Sequence, residues 1–573
     1  MRNWLKKQFT FDRNSLAFFW LFIPILTLVV VNRYAPRKMP GDTQAQIQIY
    51  QDTALNGKAN ILLEGLLDEK PLDIDLNYRY LQNNCETFLG LNDTWRGDKN
   101  TLDRYHNLSQ VTESSDIGYY SLGYIESGKK NYQTALDYFL LVENKDLKYL
   151  NNSIGYVYKS LGEEQKAESY YQREIVLKGY IEGAVINLAE LYEKQGAIQK
   201  LGTLVQNEST KAYVRLGPKA TWALRSGNIL RYLELIYIRP FGYINGFAAG
   251  FALLVCGIWF YYLLRINLYT LEPVFMGILA LLAGAFMALS CFIMYDLWFM
   301  VNPIVPGERT LENAIYFFCH VGVIEEFVKF IPIVMIVVFT RDRINGPLDL
   351  VIFGGLSALG FATLENSLYF SMLGIRIVPA RFIISTFLHM VETMLLCYLW
   401  ARARYMKMGN EVLAIIFGFC LVVVSHGLFD FLLTENIPVK ILLAGAQVVI
   451  LSFLFGYILH NCIYFSPRSP FILTSLTTRR FNNYQLFFSA ISGLLTLSYL
   501  HTNFKYATEI ANIWFAAIFI FSIICIWLLY YPLVTLGYLS PPSRIFPIRI
   551  THILVKPFKI YHGFDQSPCS PAT

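Results

Sequence analysis

Charge is what this sequence has least of. Only 16% of its 573 residues are Asp, Glu, Lys or Arg, against about a quarter in a soluble globular chain. Apolar residues make up 54%. A chain folding only in water is therefore excluded, as are a disordered chain and a collagen. Cysteine is thin where it would matter. Of nine, only Cys85 falls in the long polar segment and Cys569 in the tail, so that segment can form no internal disulfide. No Cys-x-x-Cys exists, which excludes a zinc ribbon and a redox pair. The net charge is +6, and outside the polar segment Lys and Arg sit mostly in short loops. That distribution reads as a topology signal and not as a nucleic-acid surface.

What is present is a series of long apolar runs and one polar insert. The expected fold class is all-α: a polytopic membrane helix bundle of about ten spans plus an extracytoplasmic α-solenoid. Residues 1–33 hold Arg2, Lys6, Lys7 and Arg13 and an apolar run from about Leu16 to Val31. No small-residue cleavage site comes after it, so an uncleaved signal anchor is expected. Residues 34–240 are polar and repeat. Leu122-Gly123 is matched by Ile154-Gly155 and Leu188-Ala189, and Ala135 and Phe139 by Ala167 and Tyr171. Offsets of 32 and 34 residues are close to the tetratricopeptide period. Small residues would let the two helices of a hairpin approach, and aromatics would fill the groove between hairpins. Leu62 to Leu81, with Pro71 at its boundary, reads as an earlier degenerate copy. Residues 241–540 form the membrane domain, with spans expected near 243–264, 274–295, 312–338, 350–371, 380–400, 411–433, 440–463, 484–500 and 509–535. Residues 541–573 are a basic tail.

Loop charge orients the bundle. With a cytoplasmic N-terminus, the cytoplasmic loops contain Arg341 and Arg343, then Arg402, Arg404 and Lys407, then Arg468, Arg479 and Arg480, and the tail contains Arg544, Arg549, Lys556 and Lys559. The opposite loops are poorer, with Glu308, Arg309, Arg376, Arg381, Lys440 and Lys505; only the first cytoplasmic loop, with Arg265 alone, breaks the bias. Both termini are thus expected in the cytoplasm and the repeat domain outside, in a multi-pass cell membrane of bacterial inner-membrane type.

Ionisable residues inside apolar spans cost about 2.5–3.5 kcal/mol each, so a span that keeps them has a use for them. One span reads His320-Val-Gly-Val-Ile-Glu325-Glu326-Phe-Val-Lys329. Lys329 can pair with either acid on a helix, but it cannot neutralise both. The second carboxylate needs another donor or must keep a proton, the condition of a general acid or base near neutral pH. The next span carries Phe361-Ala-Thr-Leu-Glu365-Asn366, the one after His389 with Glu392 and Thr393, and the following one His426-Gly-Leu-Phe-Asp430. His426 and Asp430 share a face, so the carboxylate could fix the imidazole tautomer. Alternating helix directions at about 1.5 Å per residue put Glu325, Glu365, His389 and His426 in one layer. Each pair alone also reads as a structural lock between helices. His320, His460 and His501 read as interfacial, and Asp349 and Arg381 as interface anchors. No His-Glu-x-x-His is present. Tyr295-Asp296 has no matching Gly-x-Gly-Asp, and Gly355-Leu356-Ser357-Ala358 lacks the last Gly of a Gly-x-Ser-Gly.

The ordered series Glu325-Glu326-x-x-Lys329, Phe361-x-x-x-Glu365-Asn366, His389 and His426-x-x-x-Asp430 resembles the PrsW family of intramembrane proteases, related to the CAAX prenyl endopeptidases and Abi proteins. The resemblance covers about 270–465. It implies glutamic-type peptide hydrolysis in the membrane, in a family associated with membrane-anchored anti-sigma factors. Carried over, Glu325 or Glu326 would activate water. His389 and His426 would hold the water and stabilise the oxyanion, and Lys329, Glu365, Asn366 and Asp430 would support them. The expected cofactor is none, with zinc on the two His and the carboxylates as the alternative. Expected partners are a single-span membrane protein substrate, a protein bound through the repeat domain, and the lipid bilayer, with no nucleic acid. A non-catalytic receptor or scaffold and a proton-coupled transporter are the competing readings.

Overall fold

In the computed structural model the described residues are 19–535 without 88–92, 96, 98, 268–273, 302–309, 341–343, 345, 375–376, 435–438 and 466–482. Arg2, Lys6, Lys7, Arg13, the start of the first apolar run at Leu16, Glu308, Arg309, Arg341, Arg343, Arg376, Arg468, Arg479, Arg480 and the tail over 541–573 lie outside them.

Helices of the apolar part are numbered α1 (Phe22–Tyr34), α2 (Gly246–Asn267), α3 (Val274–Val301), α4 (Val323–Phe339), α5 (Pro347–Leu373), α6 (Thr386–Tyr405), α7 (Glu411–Thr434), α8 (Lys440–Tyr464), α9 (Asn483–Lys505) and α10 (Thr508–Thr535). Among the described residues, six helical stretches are long and apolar enough to cross a bilayer, those of α2, α3, α5, α6, α7 and α8. This chain is a membrane protein. The α1 helix and the Thr508–Ile520 stretch are apolar but shorter. The α4 helix continues a run through Thr310–Ile315 and a π-helical segment, Tyr316–Gly322.

The α5 and α6 helices lie at the centre and are enclosed along most of their length, whereas α7 turns Val412, Leu413, Ile416, Phe417 and Val424 outward. Glycine makes the central packing close. A Cβ on Gly284 of α3 would sit 2.0 Å from the Ser357 carbonyl oxygen of α5, and one on Gly360 of α5 would sit 1.9 Å from the Leu281 carbonyl oxygen. Lipid gives helices no reason to avoid solvent, so close backbone packing of this kind is what associates them.

The polar segment is a chain of helical hairpins. Short turns make neighbours antiparallel: Ser115–Gly128 with Tyr132–Leu141, Leu150–Ser160 with Glu164–Leu177, and Ile181–Gln195 with Ile198–Gln206. Asn56–Glu69 and Ile74–Asn83 form an earlier pair around Pro71. The repeated small residues act inside each hairpin. A Cβ on Gly123 would lie 2.6 Å from the Phe139 ring, and one on Gly155 2.7 Å from the Tyr171 ring. The aromatics therefore fill the space left by glycine on the partner helix of the same hairpin. Glu174, buried, links successive hairpins by accepting from the backbone N–H groups of Tyr149 (3.0 Å), Asn152 (3.2 Å) and Tyr180 (2.6 Å), at the starts of two helices. The described chain is helical as expected, apart from one short two-stranded ribbon, β1 (Cys85–Thr87) with β2 (Asp93–Trp95).

The polar domain is fastened to helices of the apolar part. Ala507 and Ile510, at the turn between α9 and α10, are fully buried in the same apolar core as Ile47, Ala59 and Leu63. The Arg37 N–H donates to Thr508 Oγ1 at 2.7 Å, and the Thr508 N–H donates to the Arg37 carbonyl at 3.0 Å. Lys58 pairs with Glu509. On α1, Asn32 donates to Asn512 Oδ1 at 3.0 Å and to the Tyr499 hydroxyl at 3.1 Å. At the domain's other end, Leu235 and Ile236 pack near Phe292 and Ile293 of α3.

Candidate active site

The site begins on α4. Pro332 interrupts the helix one turn beyond Lys329 and has no N–H to give the ladder. Ser357 of α5 donates its hydroxyl to the Lys329 carbonyl at 2.8 Å, the kind of side-chain support that non-ideal backbone needs in lipid. Ser357 is thereby a structural residue.

Lys329 is wholly buried, and acids and imidazoles surround it. Its Nζ lies 2.8 Å from Glu326 Oε1, 3.4 Å from Glu325 Oε2, 2.8 Å from His389 Nδ1 and 3.4 Å from His426 Nδ1. The Phe361 ring of α5 closes the remaining side, 4.5 Å from Nζ to its centroid. Both expected pairings of Lys329 with the twin acids are thus present at once, and α6 and α7 each deliver an imidazole to it.

The two histidines are held differently. Lys329 donates to His389 Nδ1, so the ring proton belongs on Nε2, which faces Glu365 Oε2 at 2.8 Å. Both nitrogens of His389 are therefore engaged. His426 Nδ1 meets Glu326 Oε1 at 2.9 Å, and because an ionised carboxylate only accepts, Nδ1 is the donor. Its Nε2 faces Glu325 Oε2 at 3.5 Å and Asp430 Oδ2 at 3.4 Å. The ring centroids of His389 and His426 are 5.3 Å apart. Glu325 Oε1 accepts from the Tyr295 hydroxyl of α3 at 2.9 Å. Helices α3 to α7 all contribute.

Several residues take places the sequence did not indicate. Arg381, expected at the interface, lies on a π-helical turn, Arg381–Ser385, that carries it inward. Its Nη2 lies 2.9 Å from Glu365 Oε2, and its Nε donates to Asn366 Oδ1 at 2.5 Å. Asn366 in turn donates to Thr386 at 3.0 Å, outside the inner cluster. Asp349 is a buried helix cap that accepts from the Gly346 N–H at 3.0 Å, and does not anchor at the interface. His320 is buried among Tyr295, Trp298 and Tyr316 and is not interfacial. Glu392, noted only as a neighbour of His389, points to His426 Nδ1 at 3.4 Å and accepts from Ser425 at 2.7 Å. Its signal in the sequence was one more carboxylate within apolar surroundings, beside Glu325, Glu326, Glu365 and Asp430.

Comparison with known proteins bears directly on this cluster. The model of a family described as "PrsW family intramembrane metalloprotease" matches residues 272–459. Protease PrsW of Shouchella clausii is 28% identical over 158 residues, 27% of this chain and 73% of that protein. Protease PrsW of Bacillus subtilis is 27% identical over 189 residues, 33% of this chain and 81% of that protein. Protease PrsW of Clostridioides difficile is 28% identical over 189 residues, 32% and 77% respectively. No solved structure matches the chain. The polar domain lies outside the matched residues.

The family description implies a metal. Glu326, His389, Glu392 and His426 each offer a donor atom, and these atoms lie within 4.8 Å of one another. By ligand type this is a zinc set. By space it is not, because the Lys329 Nζ already stands among the donors and uses His389 Nδ1 and Glu326 Oε1. The residues as arranged do not fit a divalent ion beside Lys329.

The match over α3 to α8 and the meeting of Glu325, Glu326, Lys329, His389 and His426 in one buried cluster point the same way: over residues 272–459 this chain is similar to the PrsW family of intramembrane proteases.

Proposed function

We propose that Glu325 is the general base of peptide-bond hydrolysis at this cluster and that His426 faces it across the reaction centre. The observation that carries the reading is the approach of Glu325 Oε2 to His426 Nε2, with the opposite nitrogen of that ring tied to Glu326. Glu325 suits the task better than its neighbour. Its side chain keeps 13% exposure where Glu326 has none. Tyr295 fixes one oxygen, and the other accepts no hydrogen bond among the described residues. Glu326 is occupied by Lys329, His426 and, at 3.5 Å, Thr393.

In this reading Glu325 takes a proton from water as the water oxygen bonds to the scissile carbonyl carbon. With carboxylates at both ring nitrogens His426 is doubly protonated, and its Nε2 donates to the oxyanion that forms. The proton then passes from Glu325 to the departing nitrogen as the C–N bond breaks, leaving a carboxylate and an amine. His389, engaged at both nitrogens, is a positioning residue together with Glu326, Lys329, Glu365, Asn366 and Arg381. Asp430 orients His426. No cofactor takes part.

The substrate in this reading is a single-span membrane protein, of the anti-sigma-factor-like kind. Ten spans, both termini in the cytoplasm and the polar domain on the outer side of a bacterial cell membrane complete it. The loop charges support that orientation. So do the apolar α1, α9 and α10 helices and the run ending in α4, which bring six spans to ten. The polar domain is a tetratricopeptide-like solenoid that binds the outer part of the substrate or a partner protein; hairpins at offsets of 32 and 34 residues support this.

The test is cleavage of a reconstituted single-span substrate by Glu325→Gln in proteoliposomes. The turnover number is expected to fall at least about 100-fold with KM little changed, since a general base contributes roughly 10²–10⁴-fold. Undiminished cleavage by Glu325→Gln overturns the assignment of the base.

A further inference from the structure

The centre of the cluster holds a cation that belongs to the chain. Glu326 Oε1 and His389 Nδ1 each lie 2.8 Å from Lys329 Nζ, and His426 Nδ1 lies 3.4 Å away. These three atoms come from three of the four residues that could hold a metal, and Glu392 is the fourth. Zinc would need the same lone pairs at about 2.0–2.2 Å. An ammonium that already uses two of them, and repels a second cation in a buried site, excludes it by occupancy and by charge. Lys329 cannot swing into water, because its side chain is wholly buried, with Phe361 against Nζ and its own carbonyl held by Ser357.

We infer that Lys329 is the resident cation of this site, standing where a divalent ion would stand, and that Glu326, His389, Glu392 and His426 form a latent zinc site that opens when the ammonium is removed. The inference deepens the proposed function by assigning the cation of the same site, yet it is read from metal content and does not depend on which acid is the base. Lys329 is on this account a positioning residue that supplies positive charge where the family description implies a metal ion.

The experiment uses the full chain purified in detergent with zinc present, followed by dialysis and elemental analysis. Wild type is expected to retain no stoichiometric zinc, and its cleavage to survive a strong chelator. Lys329→Met, which keeps length and removes charge, is expected to retain about one zinc per chain, as a four-ligand site does, and to lose it when Glu392→Gln is added. Lys329→Arg restores the cation and is expected to retain none. If Lys329→Met unfolds without metal, recovery of folded protein on adding zinc during extraction supports the inference, and failure to recover overturns it. A folded Lys329→Met that takes up no zinc also overturns it. So does a wild type that carries about one zinc and loses both the ion and activity to the chelator. A zinc-free wild type whose Glu325→Gln variant still cleaves would defeat the choice of base and leave this inference standing.

Discussion

At the scale of single residues, the site is a set of charges that satisfy one another. One ammonium faces two acids and two imidazoles, and each imidazole reaches a further acid on its far side. Tyr295 is the clearest single contributor that the motif omits. Removing its hydroxyl takes one hydrogen bond from Glu325 and leaves the ring packed against His320. A hydrogen bond to a charged group is worth about 1.5–3 kcal/mol, so Tyr295→Phe is expected to lower the turnover number by roughly 10–100-fold with KM unchanged, measured by steady-state cleavage. The twin acids, Lys329, His389 and His426 were legible in the sequence as a set, because several ionisable groups at one depth in successive apolar runs are costly to keep, although each pair alone also reads as a structural lock. Arg381 and Asp349 were misread because an ion at the end of such a run ordinarily sits at the interface. Only the adjoining turn decides whether it points out or in. Glu392 was seen beside His389 on one helix; that it serves His426 on the next depends on helix rotation, which spacing does not encode.

At the scale of elements, the six long apolar stretches of α2, α3 and α5 to α8 were legible nearly to their ends, because apolar length against hydrocarbon thickness is a strong constraint. The expected 312–338 became a helix entered through the π segment Tyr316–Gly322, and 380–400 became α6 entered through Arg381–Ser385. Both π segments directly precede helices that carry site residues. Each rotates the helix it leads into, and nothing in composition marks a change of hydrogen-bond register. Packing is equally local. Gly360→Val would drive a side chain into the Leu281 carbonyl and part α3 from α5. That overpacking is expected to cost at least about 2 kcal/mol, seen as a lowered melting temperature in detergent and loss of the Tyr295–Glu325 contact with activity. In the polar domain, Glu174→Ala leaves three backbone donors unmet. A loss of about 2–4 kcal/mol is expected, measured by denaturant unfolding of the polar domain in the full chain, followed by proteolysis.

At the scale of the whole molecule, two attachments relate the polar domain to the site. Leu235 and Ile236 lie against α3 near Phe292 and Ile293, and a turn farther along the same helix Tyr295 holds Glu325. The other attachment is the α9–α10 turn sunk into the domain core. Ile510→Asp puts an unpaired charge into that core, and faster proteolysis of the polar domain in intact membranes is the expected result, with the membrane helices still protected. The hairpin repeat was legible in residue offsets; its fastening to the far end of the chain was not, since no local pattern links residues so distant in sequence.

That fastening has a consequence for biosynthesis. A ribosome releases the polar domain hundreds of residues before Ala507 and Ile510 emerge, so the domain waits with an unfilled groove while the entire bundle is threaded. The last helices of the chain then act as the key that closes the first domain made, and a chain stalled before them leaves that groove open to proteolysis.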